Sequence, residues 1–144
     1  MALRRELGDI HTAIQTSGFA RHAIYRSVVG MFDYILQDIK LADSEAHRYY
    51  TGHSNAPILR NIDWLKESGK NFVFRMPLIP GITDTPENLK AVSRIVGSHP
   101  IELMPYNDLA GSKYDALGMT YPLEGFTRQE TDCAHYFQNV KILA

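Results

Sequence analysis

Cysteine is nearly absent. Cys133 stands alone, which excludes an internal disulfide and any cysteine-rich zinc or iron-sulfur site built from this chain by itself. An excess of one charge is absent too. Fifteen Lys and Arg face sixteen Asp and Glu, with nine basic and eight acidic residues in 1–72 and six and eight in 73–144. With no basic stripe, no nucleic-acid partner is expected. Long apolar runs are lacking: stretches such as Val28 to Phe32 fall far short of a membrane span, and Met1 to Asp9 carries charge where a signal peptide needs an apolar core. No membrane association is expected, and the sequence reads as cytoplasmic. There is no low-complexity tract, no repeat of about 20 to 50 residues and no Gly/Ser linker.

What is present is an ordinary globular composition, 44% hydrophobic and 22% charged over 144 residues. Short apolar or β-branched runs at His11 to Thr16, Phe32 to Lys40, Phe72 to Ile79 and Ile101 to Tyr106 are strand candidates, each followed by a helical pattern. The helices are better marked. Ile58, Leu59, Ile62 and Leu65 recur at helical spacing, with Ser54 and Asn55 as cap candidates, Pro57 in the first turn and Gly69 past the end. Thr85, Pro86 and Glu87, then Leu89, Val92, Ile95 and Val96, then Gly97, repeat that grammar of cap, proline, apolar face and stop. Weaker patterns predict helices at Arg21 to Val29, Ser44 to Tyr50 and Arg128 to Gln138, and Ala2 to Leu7 reads as the tail of a helix ending at Gly8.

Strand then helix, four times over, predicts a parallel α/β sheet with right-handed crossovers. A closed eight-strand barrel takes about 250 residues. The expected fold class is therefore a partial TIM-like (β/α) barrel fragment of about four parallel strands with flanking helices, its N-terminal strands missing. One edge strand should expose unpaired backbone groups.

In such sheets chemistry gathers at the carboxyl ends of the strands. Each apolar run here ends in polar groups: Gln15 and Thr16, then Asp38 and Lys40, then Arg75 within the third run, then Asn107 and Asp108. Period two puts Tyr34, Leu36, Asp38 and Lys40 on one face, and Val73, Arg75 and Pro77 on one face. A structural ion pair explains Asp38 and Lys40 equally well when they are taken alone; four consecutive polar strand ends favour a ligand site. His11 reads as a structural histidine, Tyr49, Tyr50 and Trp64 as packing residues on helices, and Cys133 as an inert thiol on a helix. Gly81, Thr83, Asp84 and Thr85 can offer backbone donors to an anion at a helix start, and simple capping explains them as well.

Specific strings then matter more than pattern. HTAIQTSG (His11 to Gly18), LQDIK (Leu36 to Lys40), YTGHSNAPILRNIDWL (Tyr50 to Leu65), FRMPLIPGITDTPENL (Phe74 to Leu89) and ELMPYNDLAGSKYDALGMTYPL (Glu102 to Leu123) occur in order. Together they resemble the C-terminal part of the glycyl-radical-enzyme activating enzymes, the radical S-adenosylmethionine family typified by pyruvate formate-lyase activating enzyme. The resemblance covers about residues 11–123 and makes 1–144 the C-terminal portion of a radical SAM partial barrel. It implies a 4Fe-4S cluster that donates an electron to S-adenosylmethionine, whose 5′-deoxyadenosyl radical removes a hydrogen from a backbone glycine of a partner enzyme. By matching positions, Thr16, Asp38, Lys40 and Asn107 line the S-adenosylmethionine pocket, with Arg75 beside it. Lys40 then suits the cofactor's carboxylate, and Asp38 its ribose or a monovalent cation. The implied partners are a glycyl radical enzyme of the pyruvate formate-lyase type and a flavodoxin or ferredoxin as electron donor, in anaerobic metabolism.

This sequence departs from the family pattern at three places. The three-cysteine motif and the Gly-rich segment belong upstream of Met1, so the chain holds no cluster ligands and is expected to be inactive alone. Gln15 stands where the family usually carries Glu or Asp, which bears on any cation site. Asn107 occupies a position that is His in pyruvate formate-lyase activators. Other readings are an activator of another glycyl radical enzyme, for example anaerobic ribonucleotide reductase; a Schiff-base lyase using Lys40; and a non-catalytic half-barrel binding module that docks a partner along its open edge.

Overall fold

The computed structural model of the protein describes residues 6, 8, 10–107, 111–121, 123, 125–127 and 132–143. Along them run β1 (Ala13–Thr16), α1 (His22–Val29), β2 (Tyr34–Asp38), α2 (Ser44–Thr51), α3 (Ala56–Glu67), β3 (Asn71–Leu78), α4 (Pro86–Val96), β4 (Ile101–Pro105), α5 (Gly111–Ala116), a 3-10 turn (Ala134–Tyr136) and β5 (Val140–Ile142). The strands form one sheet in the order β1-β2-β3-β4-β5, and every pair is parallel. Neighbours in space are neighbours in sequence, with no reversal of order. That is the arrangement of a barrel wall; a doubly wound sheet would reverse at a switch point. β1 pairs only with β2, which leaves its outer edge without a ladder partner among the described strands.

Local chemistry sets the elements. Thr85 accepts a hydrogen bond from the Asn88 amide and Pro86 fills the first turn, so α4 begins where its cap dictates. Gly97, at φ 63° and ψ −130°, takes a conformation closed to other residues and ends the same helix. α3 differs from expectation at its start. Asn55 occupies the cap position without a side-chain cap bond, because its amide nitrogen donates to the carbonyls of Leu41 and Ala42 at 3.0 and 2.8 Å. The hydroxyl of Ser54 accepts from the Ala56 amide instead.

Register divides the sheet into two unlike faces. Ile35, Phe74, Met76, Leu78, Ile101 and Leu103 point to the helix side, where they pack with Ile58, Ile62, Leu65, Leu89, Val92 and Val96 and are nearly all completely buried. Side chains such as Ile35 and Leu89 each contribute about 1.5–3 kcal/mol by leaving water. The other face holds Ala13 and Gln15, then Tyr34, Leu36 and Asp38, then Val73, Arg75 and Pro77, then Glu102 and Met104, all level with one another by register. Most of these are half-buried. The strands thus satisfy a helix layer on one side and leave the charged residues on the other.

Three expectations are corrected. No helix runs through the described part of 128–138: residues 128–131 lie outside the description, and beyond them there is only the 3-10 turn, with Phe137 extended. Cys133 and Phe137, four apart, are both buried against the main core, which mimics a helical repeat, but the chain must enter β5 three residues later. Tyr49 and Tyr50 are not packing residues. They are 82% and 51% exposed and meet each other edge to face, because α2 is short and buries His47 alone. His11 precedes β1 and is exposed. Trp64 packs as expected, edge-on to Tyr25 with the Arg26 guanidinium over its ring. The reading of Ala2 to Leu7 lies outside the described residues except for Glu6, and Asp108 lies outside them as well.

Candidate ligand site on the open face

At the carboxyl ends of the strands the open face carries a continuous polar chain. Lys40 Nζ lies 3.0 Å from Asp38 Oδ2. Asp38 Oδ1 accepts from Gln15 Nε2 at 3.2 Å. Gln15 Oε1 accepts from Arg75 Nη1 at 3.2 Å, and Arg75 Nε lies 3.2 Å from Glu102 Oε2. The pairing register explains why these meet: Asp38 is level with Arg75, and Arg75 with Glu102. Strands about 4.8 Å apart bring such side chains together on one face. The Nε hydrogen of Arg75 is buried and not aligned on any acceptor, Glu102 included. The ion pair is close without being a good hydrogen bond there.

Beside Asp38 and Lys40 opens a cleft of about 260 Å³ lined by Ser17, Phe19, His47, Thr51, His53 and Asn55 among others. Ligand pockets usually span about 300–1,000 Å³, so this cleft falls just below that range. Phe19 stacks on His53 at 4.9 Å at its rim. His47 is buried and its Nδ1 donates to the His53 carbonyl at 2.7 Å; a carbonyl only accepts, which puts the proton on Nδ1.

The loops that carry these groups are pinned from the helix side by neutral amides. Asn61, completely buried, donates to the carbonyls of Gly18 and Ala20 and accepts from His22 Nδ1. Asn88 donates to the carbonyls of Lys40 and Thr83 and accepts from the Ala42 amide. Gln37, also completely buried, accepts the Tyr25 hydroxyl at 2.7 Å and donates to the Asp38 carbonyl at 2.9 Å. Burial pushes the Tyr25 hydroxyl pKa well above the usual tyrosine range.

Of the residues singled out in the sequence, Gln15, Asp38, Lys40 and Arg75 are brought into one constellation. Thr16 is not on their face. It lies level with Gln37, and its hydroxyl accepts from the Gly18 amide to shape the turn after β1. Asn107 is exposed, two residues past β4. Gly81, Thr83, Asp84 and Thr85 act on their own loop: Asp84 accepts from the Gly81 amide, Thr83 from that of Ile79, and Thr85 caps α4. Glu102 was not singled out, although it follows from the alternation within β4 once the register with Arg75 is known. His47 and His53 carried no strand-end signal.

The residues present fit one implied cofactor and not the other. Two cationic donors and two carboxylates on one face match the zwitterionic amino-acid end and the hydroxyls of S-adenosylmethionine. For an iron-sulfur cluster the fit fails. Among the described residues no three His, Cys, Asp or Glu side chains are placed to hold a metal, and Cys133 is buried, its thiol pKa raised by burial and then by Asp84 and Asp132. A Schiff-base lysine is also a poor match: it needs a desolvated amine, and the Lys40 side chain is 34% exposed.

Known proteins resemble this chain in sequence and in fold. The model of the radical SAM superfamily matches residues 1–91. The choline trimethylamine-lyase activating enzyme of Oleidesulfovibrio alaskensis is 34% identical over 123 residues, covering 81% of this chain and 40% of that protein. The trans-4-hydroxy-L-proline dehydratase activating enzyme of Clostridioides difficile is 38% identical over 124 residues, covering 83% and 41%. The pyruvate formate-lyase-activating enzyme of Streptococcus mutans is 33% identical over 134 residues, covering 86% and 51%. The chain therefore spans about half the length, or less, of these curated relatives. Among solved structures, a domain of pyruvate-formate lyase-activating enzyme from Bacteroides vulgatus has a TM-score of 0.77 at 23% identity, covering 99% of this chain and 88% of that one. That likeness shows the fold, a segment of a TIM-like barrel wall.

Proposed function

Because the chain belongs to the radical SAM superfamily, with activating enzymes of glycyl radical enzymes among its relatives, we propose that it forms the C-terminal part of such an activating enzyme. In this reading Asp38, Lys40 and Arg75 hold S-adenosylmethionine, with Thr16 in the turn after β1 and Asn107 beyond the end of β4 as further contacts. The observation that carries it is the unbroken polar chain from Lys40 through Asp38, Gln15 and Arg75 to Glu102 at the mouth of a parallel sheet.

When bound and reduced through the cluster, the cofactor supplies the radical chemistry. The residues of this chain orient and shield. Lys40 meets a carboxylate, Asp38 accepts from hydroxyl or ammonium groups, and the partly exposed guanidinium of Arg75 offers a further donor. Leu36, Val73 and Met104 on the same face keep water from the site. The cluster cysteines belong to sequence beyond these 144 residues, and the chain alone is inactive. The partner is a glycyl radical enzyme, of the pyruvate formate-lyase type or another, and the electron donor a flavodoxin or ferredoxin. A free thiol without a disulfide suits a reducing compartment, and the proposed location is the cytoplasm. Among the described residues no helix is long and apolar enough to cross a membrane. The half-barrel module remains a second reading, favoured only by the edge of β1, which has no ladder partner among the described strands.

The test is titration of S-adenosylmethionine, by anaerobic calorimetry, into the complete polypeptide carrying its cluster. Lys40→Met should weaken binding about tenfold or more, the loss of one charge-assisted hydrogen bond. The 144-residue chain by itself should show no cluster absorbance after iron and sulfide reconstitution. Unchanged affinity in Lys40→Met would remove Lys40 from the site.

A further inference from the structure

A second cleft shares Phe19 with the first and otherwise has different walls. It encloses about 360 Å³, within the usual range of ligand pockets. Arg21 and His22 line it from the turn that enters α1, and Pro57 and Arg60 from the start of α3. No member of the open-face constellation borders it, and no Asp or Glu does. Other cations serve the fold: Lys66 and Lys70 donate to backbone carbonyls, and Arg26 lies over Trp64. Arg21 and Arg60 have neither a hydrogen bond nor an ion pair among the described residues. Two guanidiniums around one acid-free hollow repel each other, and a bound anion would relieve that repulsion.

His22 adds a third group whose tautomer is fixed. Asn61 donates through its amide nitrogen to the carbonyls of Gly18 and Ala20, so its oxygen faces His22 Nδ1 at 2.8 Å and the ring proton sits on Nδ1. Nε2 has no hydrogen-bond partner among the described residues. We propose that this cleft binds a phosphate monoester, with Arg21, Arg60 and His22 on the phosphate and Phe19 against the organic part. Two fixed positive charges answer the charge of about −1.5 to −2 that such a group carries near neutral pH; one carboxylate would leave a guanidinium unanswered. His22 Nε2 accepts from a protonated phosphate oxygen, or donates to an ionised one when it carries a proton itself. Phe19 is half-exposed, with His53 stacked on it, and supplies an apolar wall. The site is separate from the open-face constellation and stands whether or not that constellation binds S-adenosylmethionine.

The test uses inorganic phosphate and phenyl phosphate, titrated by calorimetry into the complete polypeptide at low ionic strength, because salt screens exposed charges. Phenyl phosphate should bind about tenfold more tightly than inorganic phosphate, its ring being taken out of water. Arg21→Gln and Arg60→Gln should each weaken both ligands about tenfold or more, one charge-assisted contact being lost. Both residues are exposed, so these variants should melt within about 2 °C of wild type, as surface substitutions do. Phe19→Ala should bring phenyl phosphate down to the level of inorganic phosphate and leave the latter unchanged. Lys40→Met should alter neither affinity. Absence of saturable phenyl phosphate binding, affinity unchanged in both arginine variants, or a loss in Lys40→Met as large as theirs overturns the proposal. Succinate binding as tightly as inorganic phosphate overturns the phosphate assignment and points instead to carboxylates, such as an acidic segment of a partner protein would supply.

Discussion

Gly18 is the position at which the smallest change should have the largest effect. It follows β1 with φ +73°, and a Cβ placed there would lie 2.8 Å from Gln37 Nε2, 3.1 Å from its Oε1 and 3.3 Å from its Cδ. The end of a glutamine side chain usually moves aside at little cost. Gln37 is not free to move, being completely buried with both ends of its amide engaged. Gly18→Ala therefore meets two penalties. The left-handed backbone costs about 1–2 kcal/mol with a Cβ present. Displacing Gln37 strands the Tyr25 hydroxyl or the Asp38 carbonyl in the interior, about 1–3 kcal/mol more.

A loss of about 3 kcal/mol corresponds to roughly 10 °C in melting temperature for a chain of this size. Urea unfolding of Gly18→Ala, Gln37→Ala and the double variant separates the two penalties. If the clash operates as described, truncating Gln37 removes it, and the double variant should be more stable than additivity predicts by about 1–2 kcal/mol. Additive costs within about 0.5 kcal/mol, or a Gly18→Ala penalty below that of the backbone term alone, would refute the reasoning.

Two further outcomes follow from buried polar groups. The Cys133 thiol and the Tyr25 hydroxyl both have folded pKa values raised by burial, from ordinary values of 9.0 and 10.0. The folded state thus holds these protons more tightly than the unfolded one, and the associated stability is complete below pH 9 and declines as pH rises past it. Urea midpoints measured from pH 7 to 10.5 should be level and then fall, and iodoacetamide should leave Cys133 unmodified until the chain unfolds; brisk alkylation of the native protein at pH 8 would contradict its burial. At Asn88, Asn88→Asp should destabilise more than Asn88→Ala, because a carboxylate would face the Lys40 and Thr83 carbonyl oxygens that the amide now serves as donor. The reverse order in chemical denaturation would show that those bonds do not form.

The strands and the two proline-started helices were legible because their signals are local. Thr85 with Pro86 marks a helix start wherever it lies in the chain, and the run Phe72 to Ile79 alternates enough to announce a strand; β3 spans Asn71–Leu78. Asp38, Lys40 and Arg75 were legible from period two plus the rule that ligands gather at strand ends. What the sequence hid is the pairing of distant partners. Asn88 meets Lys40 across 48 positions and Asn61 meets Gly18 across 43, and no periodicity encodes such contacts. The tyrosines of α2 failed for a related reason: an aromatic at helical spacing is buried only where another element covers it, and spacing says nothing of cover. The segment before β5 failed because two buried anchors four residues apart satisfy a helical repeat without a helix.

The distribution of polar chemistry over the two faces of the sheet gives the site its rigidity. On the helix side, where charge would be costly to bury, Gln37, Asn55, Asn61 and Asn88 are neutral amides, each bonded to backbone carbonyls. They fasten the loops after β1, β2 and β3 to the helices, and Asn88 ties the second of these loops to the third. On the open side the charged groups need no anchoring of their own, because the backbone beneath them is held from behind. The consequence is a separation of effects. Substituting an amide on the helix side disturbs folding and, through the loop it holds, the ligand constellation. Substituting Lys40 or Gln15 on the open face disturbs the constellation and leaves folding nearly untouched. A variant of Lys40 or Gln15 that unfolds the protein as readily as one of Asn61 would mean that the two faces are not mechanically distinct.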